Sequence, residues 1–167
     1  MKIRSVIHDE ACIVTQIGQK CFPDGESVSQ EVYMERIRKS PDHFLALEVD
    51  GHMAGFISGL ATNREYITDD MFINPRLHEE NGRWEAVLGI AVLPAFRKRG
   101  YAERLMRHFV SRAARRGRRG CILTCKEELI GYYEKLGYVH EGLSESKLAS
   151  RQWHNMYLEF RKTGVDR

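Results

Sequence analysis

No stretch of the 167 residues approaches the roughly 18 to 20 consecutive apolar positions that a helix needs to span a bilayer. A membrane partner is therefore not expected. The first ten residues, Met1 to Glu10, carry charges where a secretory signal needs an apolar stretch, so the expected location is the cytoplasm. Cys-x-x-Cys pairs are missing, which removes the usual zinc-site spacing, and no metal is expected. There are four cysteines, Cys12, Cys21, Cys121 and Cys125. The last two share the run Cys-Ile-Leu-Thr-Cys. On a strand they face one side but lie about 13 Å apart, too far for a disulfide. Reduced thiols, buried or half-buried, are the expectation.

Charge of one sign is also lacking. Lys and Arg number 26 against 23 Asp and Glu, a net charge of +3. One local excess stands out, at Arg112, Arg115, Arg116, Arg118 and Arg119. No recognised nucleic-acid motif surrounds it and the run holds no aromatic residue. A solvated helix end is expected instead, because cations favour the C-terminal end of the helix dipole. No nucleic-acid partner is expected. Internal repeats, low-complexity segments and linkers are absent too, so one domain is expected over 1–167.

The residues present spell an α/β order. Lys2 to Ile7 alternates as a short strand. Ala11, Val14, Ile17 and Cys21 recur at helical spacing, and a second helix follows over Ser29 to Arg38. Phe44 to Val49 and Met53 to Leu60 flank Asp50-Gly51, a strong hairpin signal. Residues 63–83 break the rhythm, and a connection of that length is usually functional or carries a small helix. Ala86 to Leu93 is a continuous apolar run ending before Pro94, which reads as a central strand covered on both faces. From Ala102 the apolar positions 102, 105, 106, 109, 110 and 113 make a helical stripe. Cys121 to Cys125 is another buried strand. Leu129 to Leu136 reads as a helix stopped by Gly137, and Tyr138 to Glu141 and Trp153 to Phe160 as closing strands.

The most informative segment is Val92-Leu-Pro-Ala-Phe-Arg97-Lys98-Arg99-Gly100-Tyr101-Ala102. A strand ends, a basic turn with a glycine follows, and a long helix begins with Tyr101, Ala102 and Glu103. Such a turn offers backbone N–H groups at a positive helix end, a ready site for a pyrophosphate. Gly100 lets the backbone come close to it.

Arg97-x-x-Gly100-x-Ala102 is followed about thirty residues later by Tyr133-Glu-Lys-Leu-Gly-Tyr138. With these two motifs in this element order, the chain resembles the GNAT acetyltransferase superfamily from Lys2 to about Phe160. It is most similar to the arylalkylamine N-acetyltransferase-like branch, through Val49-Asp-Gly-His-Met-Ala-Gly-Phe-Ile-Ser-Gly and Leu123-Thr-Cys-Lys126-Glu-Glu-Leu. The two histidines of that branch's central strand are replaced by Ala86 and Leu88.

The resemblance implies a single GNAT-like domain, a mixed central sheet flanked by helices with a splayed central strand pair. It also implies acetyl-CoA as cosubstrate. The pantetheine would bond the free backbone of Ile90, Ala91 and Val92 like an added strand. The pyrophosphate would rest on Arg97, Lys98, Arg99, Gly100, Tyr101, Ala102 and Glu103. Tyr133 matches the position of the family's general acid.

The expected reaction moves acetyl from acetyl-CoA to a primary amine of a small molecule by direct attack on the thioester. A protein or peptide amine is the alternative, and a CoA-sensing domain a third class. For the base, Glu85 is the first candidate, with His78, Glu79, Glu80 and a water chain also open. Tyr66, Met71, Phe72 and Trp84 are candidates to pack the acceptor. Asp69, Asp70, Glu79, Glu80 and Glu85 are candidates for an acidic mouth that steers a cation. A homodimer is left open.

Overall fold

The computed structural model describes residues 1–161. The strands are β1 Lys2–Ser5, β2 Phe44–Val49, β3 His52–Thr62, β4 Trp84–Val92, β5 Gly120–Cys125, β6 Val139–Leu143 and β7 His154–Glu159. The helices are α1 Ala11–Cys21, α2 Gln30–Lys39, α3 Asp70–Ile73, α4 Tyr101–Arg115 and α5 Ile130–Lys135. One sheet runs in the order β1-β2-β3-β4-β5-β7-β6. Every neighbouring pair is antiparallel except β4 and β5. This is the α/β sandwich that the sequence pattern predicts. Among the described residues no helix is long and apolar enough to cross a membrane.

Local chemistry accounts for the elements. Asp50 and Gly51 both take positive φ, 51° and 79°, as the tight turn joining β2 to β3 requires. Ser29 caps α2 by accepting the Val32 N–H at 3.3 Å. Alternation along β2 and β3 then sorts the core into two layers. Phe44, Ala46 and Phe56 meet α1 and α2 through Val14, Ile17, Tyr33 and Ile37. Leu45, Leu47 and Ile57 meet α4 through Leu105, Met106 and Phe109 on the other face.

The central strand starts earlier than the apolar run suggests. Trp84 and Glu85 already pair with Thr62 and Ala61 on β3 and with Gly120 and Cys121 on β5. A charged residue in that place reads as a strand boundary, but here its charge is met by a buried arginine described below. Within 63–83 lies the short helix α3, whose Met71 and Phe72 are buried.

The register of β3 against β4 shifts between Ser58 and Gly59, leaving Leu88 as the extra residue of a bulge. Gly59 sits tightly against that irregularity. A Cβ there would lie 2.2 Å from the Ala86 carbonyl and 2.6 Å from the Phe109 ring. Gly59→Ala should lower stability by about 1–3 kcal/mol through overpacking. The denaturant midpoint checks this, with the slope expected to stay unchanged.

Candidate active site

β4 and β5 are joined by three residue pairs only: Trp84 with Gly120, Glu85 with Cys121, and Ala86 with Ile122. Beyond Ala86 the strands part, while β4 remains paired to β3 as far as Val92. The Leu93 N–H donates to Ala54 O at 2.8 Å. Successive residues alternate sides in an antiparallel ladder, so Ala91 turns its polar groups to β3. Ile90 and Val92 turn theirs to the gap. Of the three backbone positions expected from the sequence, two are therefore presented there. The Val92 carbonyl is already occupied. It accepts from Arg97 Nε at 2.8 Å and lies 3.5 Å from Cys21 Sγ.

The gap opens into a cavity of about 550 Å³. Ile90, Val92, Arg97 and Ala102 line one end. Thr124, Cys125, Tyr132 and Tyr133 line the β5 side. Phe22, Phe72, Leu148 and Trp153 enclose the rest, and they come from three separate connections.

The turn before α4 has the features expected of an anion cradle. Lys98 and Gly100 adopt positive φ, 64° and 78°, and Gly100 occupies the N-cap position of α4 with no side-chain cap bond. An added Cβ at Gly100 would meet nothing within 4 Å, so the glycine serves the backbone angle rather than the space. The N–H groups of Tyr101, Ala102 and Glu103 belong to the first turn, where a helix cannot satisfy them internally. Arg99 rests over the Phe96 ring at 5.8 Å, and Glu103 pairs with Arg107 at 2.7 Å.

Tyr133 is buried and its ring lines the cavity, whereas Tyr132 beside it is 40% exposed. Burial pushes the Tyr133 hydroxyl well above its ordinary pKa, which keeps it a proton donor at neutral pH. The hydroxyl of Tyr138, its other aromatic neighbour, is taken by Met106 Sδ at 3.3 Å.

Glu85 lies elsewhere. It is 1% exposed and does not line the cavity. Arg118 Nε donates to its Oε1 at 3.0 Å, and His43 Nδ1 is 2.8 Å from its Oε2. Arg118 also donates to the carbonyls of Glu80 and Gly82. It is thus not the solvated cation expected of the arginine run. Arg112, Arg116 and Arg119 are engaged as well, with Asp42, Asp42 and Glu159 respectively.

The acids of 63–83 do not gather at the cavity. Asp69 receives Ser146 Oγ and the Lys147 N–H, Asp70 pairs with Arg64, and Glu79 accepts the Asn63 N–H. Of the four apolar candidates in or beside that segment only Phe72 lines the cavity. Met71 and Trp84 are core, and Tyr66 sits by a second hollow with Glu141.

Three residues were given no role in the site by sequence reasoning, although Lys126 lies in a motif that carries the family resemblance. Glu26, in the connection between α1 and α2, is the one carboxylate lining the cavity among the described residues. Lys126 Nζ holds it at 2.8 Å and also lies 5.6 Å from the Trp153 ring centre. Arg36 is buried in α2, and burial lowers its pKa to about 10. It donates to Ser58 Oγ at 3.0 Å and to the Phe72 carbonyl at 2.6 Å, fixing the wall that Phe72 forms. No motif marks Glu26 or Arg36. Only the third dimension brings Glu26 to Lys126, a hundred residues on.

Residues 13–138 match the acetyltransferase (GNAT) family. The chain belongs to this family. A glucosamine 6-phosphate N-acetyltransferase 1 of Oryza sativa subsp. japonica is 30% identical over 117 residues, 70% of each chain. Among solved structures, the GphF GNAT-like decarboxylase in complex with isobutyryl-CoA superposes with a TM-score of 0.85 at 15% identity, covering 96% of this chain and 100% of that one. Arabidopsis thaliana Naa50, bound to the bisubstrate analogue CoA-Ac-MVNAL, gives 0.72 at 13% identity, covering 95% and 98%. These structural likenesses establish the fold. The family match and the rice relative establish a GNAT N-acetyltransferase, and they support the superfamily rather than its arylalkylamine branch.

Placed at the closed end of the β4–β5 pair, Glu85 serves the GNAT fold as a strut. Removing one partner of a buried ion pair leaves the other uncompensated, at a cost of about 3–5 kcal/mol. Glu85→Gln should show a loss of that order in equilibrium unfolding. The folded fraction should keep its affinity for the cosubstrate, measured by calorimetric titration at low temperature.

Proposed function

We propose that this GNAT enzyme transfers the acetyl group of acetyl-CoA to a primary amine of a small molecule. The observation that carries the small-molecule reading is the apolar wall at the proposed acceptor end. Phe22, Phe72, Leu148 and Trp153 line one cavity from three different connections, which suits a compact acceptor better than an extended peptide. The name of the rice relative, an enzyme for an amino-sugar phosphate, is in keeping with it.

The chemistry follows from the placement of groups. The pantetheine arm would bond Ile90 and the Val92 N–H in the gap, as an added strand does. The pyrophosphate would meet the N–H groups of Tyr101, Ala102 and Glu103, with Lys98 and Arg99 adding charge. Arg97 holds the turn to Val92 and brings its own cation along. The neutral amine attacks the thioester carbonyl, the C–N bond forms, and the C–S bond breaks. Tyr133 gives its proton to the departing sulfur. The amine's surplus proton leaves toward Glu26, which we assign to receiving the acceptor's amino group. Glu26 releases it to solvent and Tyr133 regains one, so the net products are the amide and the CoA thiol. Lys126 fixes the position of that carboxylate. Glu85 has no part in this route, because both its oxygens are engaged away from the cavity.

Tyr133→Phe should lower kcat by about 100- to 10,000-fold, the usual range for general acid help, with little change in the KM for acetyl-CoA. Tyr132→Phe should be mild. The pH profile carries a sign. The acceptor must lose a proton to attack, so kcat/KM rises with pH toward the amine's pKa, about 10 for a lysine-like amine. Because burial raises the Tyr133 pKa, the rate should not fall again below about pH 10. An alkaline fall between pH 8 and 9 that Tyr133→Phe abolishes would contradict this assignment.

Steady-state assays with phenethylamine, tryptamine, spermidine, glucosamine 6-phosphate and a lysine peptide test the acceptor class. A small amine should lead. A peptide preferred by more than about tenfold, or about 1.4 kcal/mol in transition-state binding, would replace the small-molecule reading with the peptide one. Glu26→Gln should raise the KM for the amine and leave that for acetyl-CoA in place.

A further inference from the structure

His43, His78 and Glu80 lie outside the cavity and take no part in the reaction just described. We propose that they bind one divalent transition-metal ion, zinc foremost, which clamps the connection between β3 and β4 to the segment preceding β2. His78 and Glu80 are two residues apart, but His43 lies 35 residues before His78, so no spacing motif announces the set. Their ligand atoms lie within 4.8 Å of one another.

The decisive atom is His43 Nε2. The ring is 1% exposed, and Nε2 is buried with no hydrogen-bond partner. The other nitrogen, Nδ1, faces Glu85 Oε2 at 2.8 Å. Glu85 is paired with Arg118 and acts as an acceptor, so the ring proton belongs on Nδ1. That leaves a lone pair on Nε2, with Glu80 Oε2 3.7 Å away. A nitrogen lone pair and a carboxylate oxygen repel unless a cation stands between them. A carboxylate behind a histidine, fixing its tautomer and raising its basicity, is also the usual support of a metal-bound imidazole.

Two of the three separations, 3.7 and 2.6 Å, fall on either side of what an ion's ligands need. Zinc bonds of about 2.0–2.1 Å in tetrahedral geometry separate ligand atoms by roughly 3.3 Å, close to the distance between His43 and Glu80. His78 Nε2 is 2.6 Å from the same Glu80 oxygen, as a hydrogen bond requires. The Ala61 N–H occupies His78 Nδ1 at 3.0 Å, so the His78 proton sits on Nε2. An arriving ion replaces that proton, which passes to solvent, and affinity therefore rises with pH. The contact opens by less than about 1 Å, a movement that the exposed Glu80 side chain can supply.

Two arginines border the site. Arg118 Nη2 is 3.9 Å from Glu80 Oε1, and Arg116 Nη1 is 3.7 Å from Glu85 Oε1. The carboxylates of Glu80 and Glu85 offset them, leaving Glu80 Oε2 for the ion. Two imidazoles and one carboxylate favour zinc, nickel or copper over magnesium or calcium.

Chelator-stripped protein, dialysed against micromolar zinc at pH 8, should retain one zinc per chain by elemental analysis and melt at a higher temperature. Glu80→Gln should weaken zinc uptake at least tenfold while its metal-free melting temperature matches that of the metal-free parent. His43→Gln provides a second variant, read by zinc content in whatever fraction folds. With cobalt in place of zinc, the visible spectrum should show tetrahedral nitrogen and oxygen ligation without a thiolate band. Failure to retain zinc would leave His43 Nε2 to a proton and overturn the proposal. Uptake that neither variant changes, or a thiolate band pointing to the cysteines, would overturn it equally.

Discussion

Everything that makes a cavity in this protein depends on how briefly β4 and β5 stay together. Three residue pairs join them, at one end only. The Arg118–Glu85 pair stitches the same end from within the core, because Arg118 leads into β5 and Glu85 lies on β4. Both strands are then committed to diverge, since each is held on its outer edge by a full antiparallel partner. A sheet that is firmly closed below and held apart above has a slot with free backbone groups on one wall. No loop has to fold over to create it.

The bulge at Leu88 comes just after the last joined pair. An extra residue bends a strand and increases its local twist. The bend directs β4 away from β5 at the point where the ladder stops. Gly59 lets the strand opposite stay close through that bend. The turn, the uncapped helix start and the buried tyrosine are then arranged around the slot, the first two at its mouth and the third on its β5 side.

Much of this was legible in the sequence, because it rests on local rules. The Asp50-Gly51 hairpin, the amphipathic stripe from Ala102, the glycine ahead of α4 and the stop at Gly137 are each readable within a dozen residues. The two motifs placed Tyr133 and the turn through resemblance to a known family. What escaped was long-range pairing. Arg118 looked like one member of a basic run, and nothing nearby reveals that it is bound for Glu85. Met71 and Trp84 looked available for a ligand, and only burial against β3 and β5 assigns them to the core. Ala91 looked equivalent to Ile90 until the register fixed which residues face the gap. Glu26 carries no local mark at all, since its partner Lys126 belongs to the far side of the molecule in sequence.

Arg36 has a bearing on how the cavity can be altered by design. Its guanidinium joins α2, the middle of β3 and the carbonyl of Phe72 into one rigid piece. The pocket wall is consequently not a loop that selection can reshape by itself. A library that varies only the residues lining the cavity would search with one wall fixed. A wider cavity would come from varying Arg36 and Ser58 together with Phe72, so that the anchor and the wall move as a set.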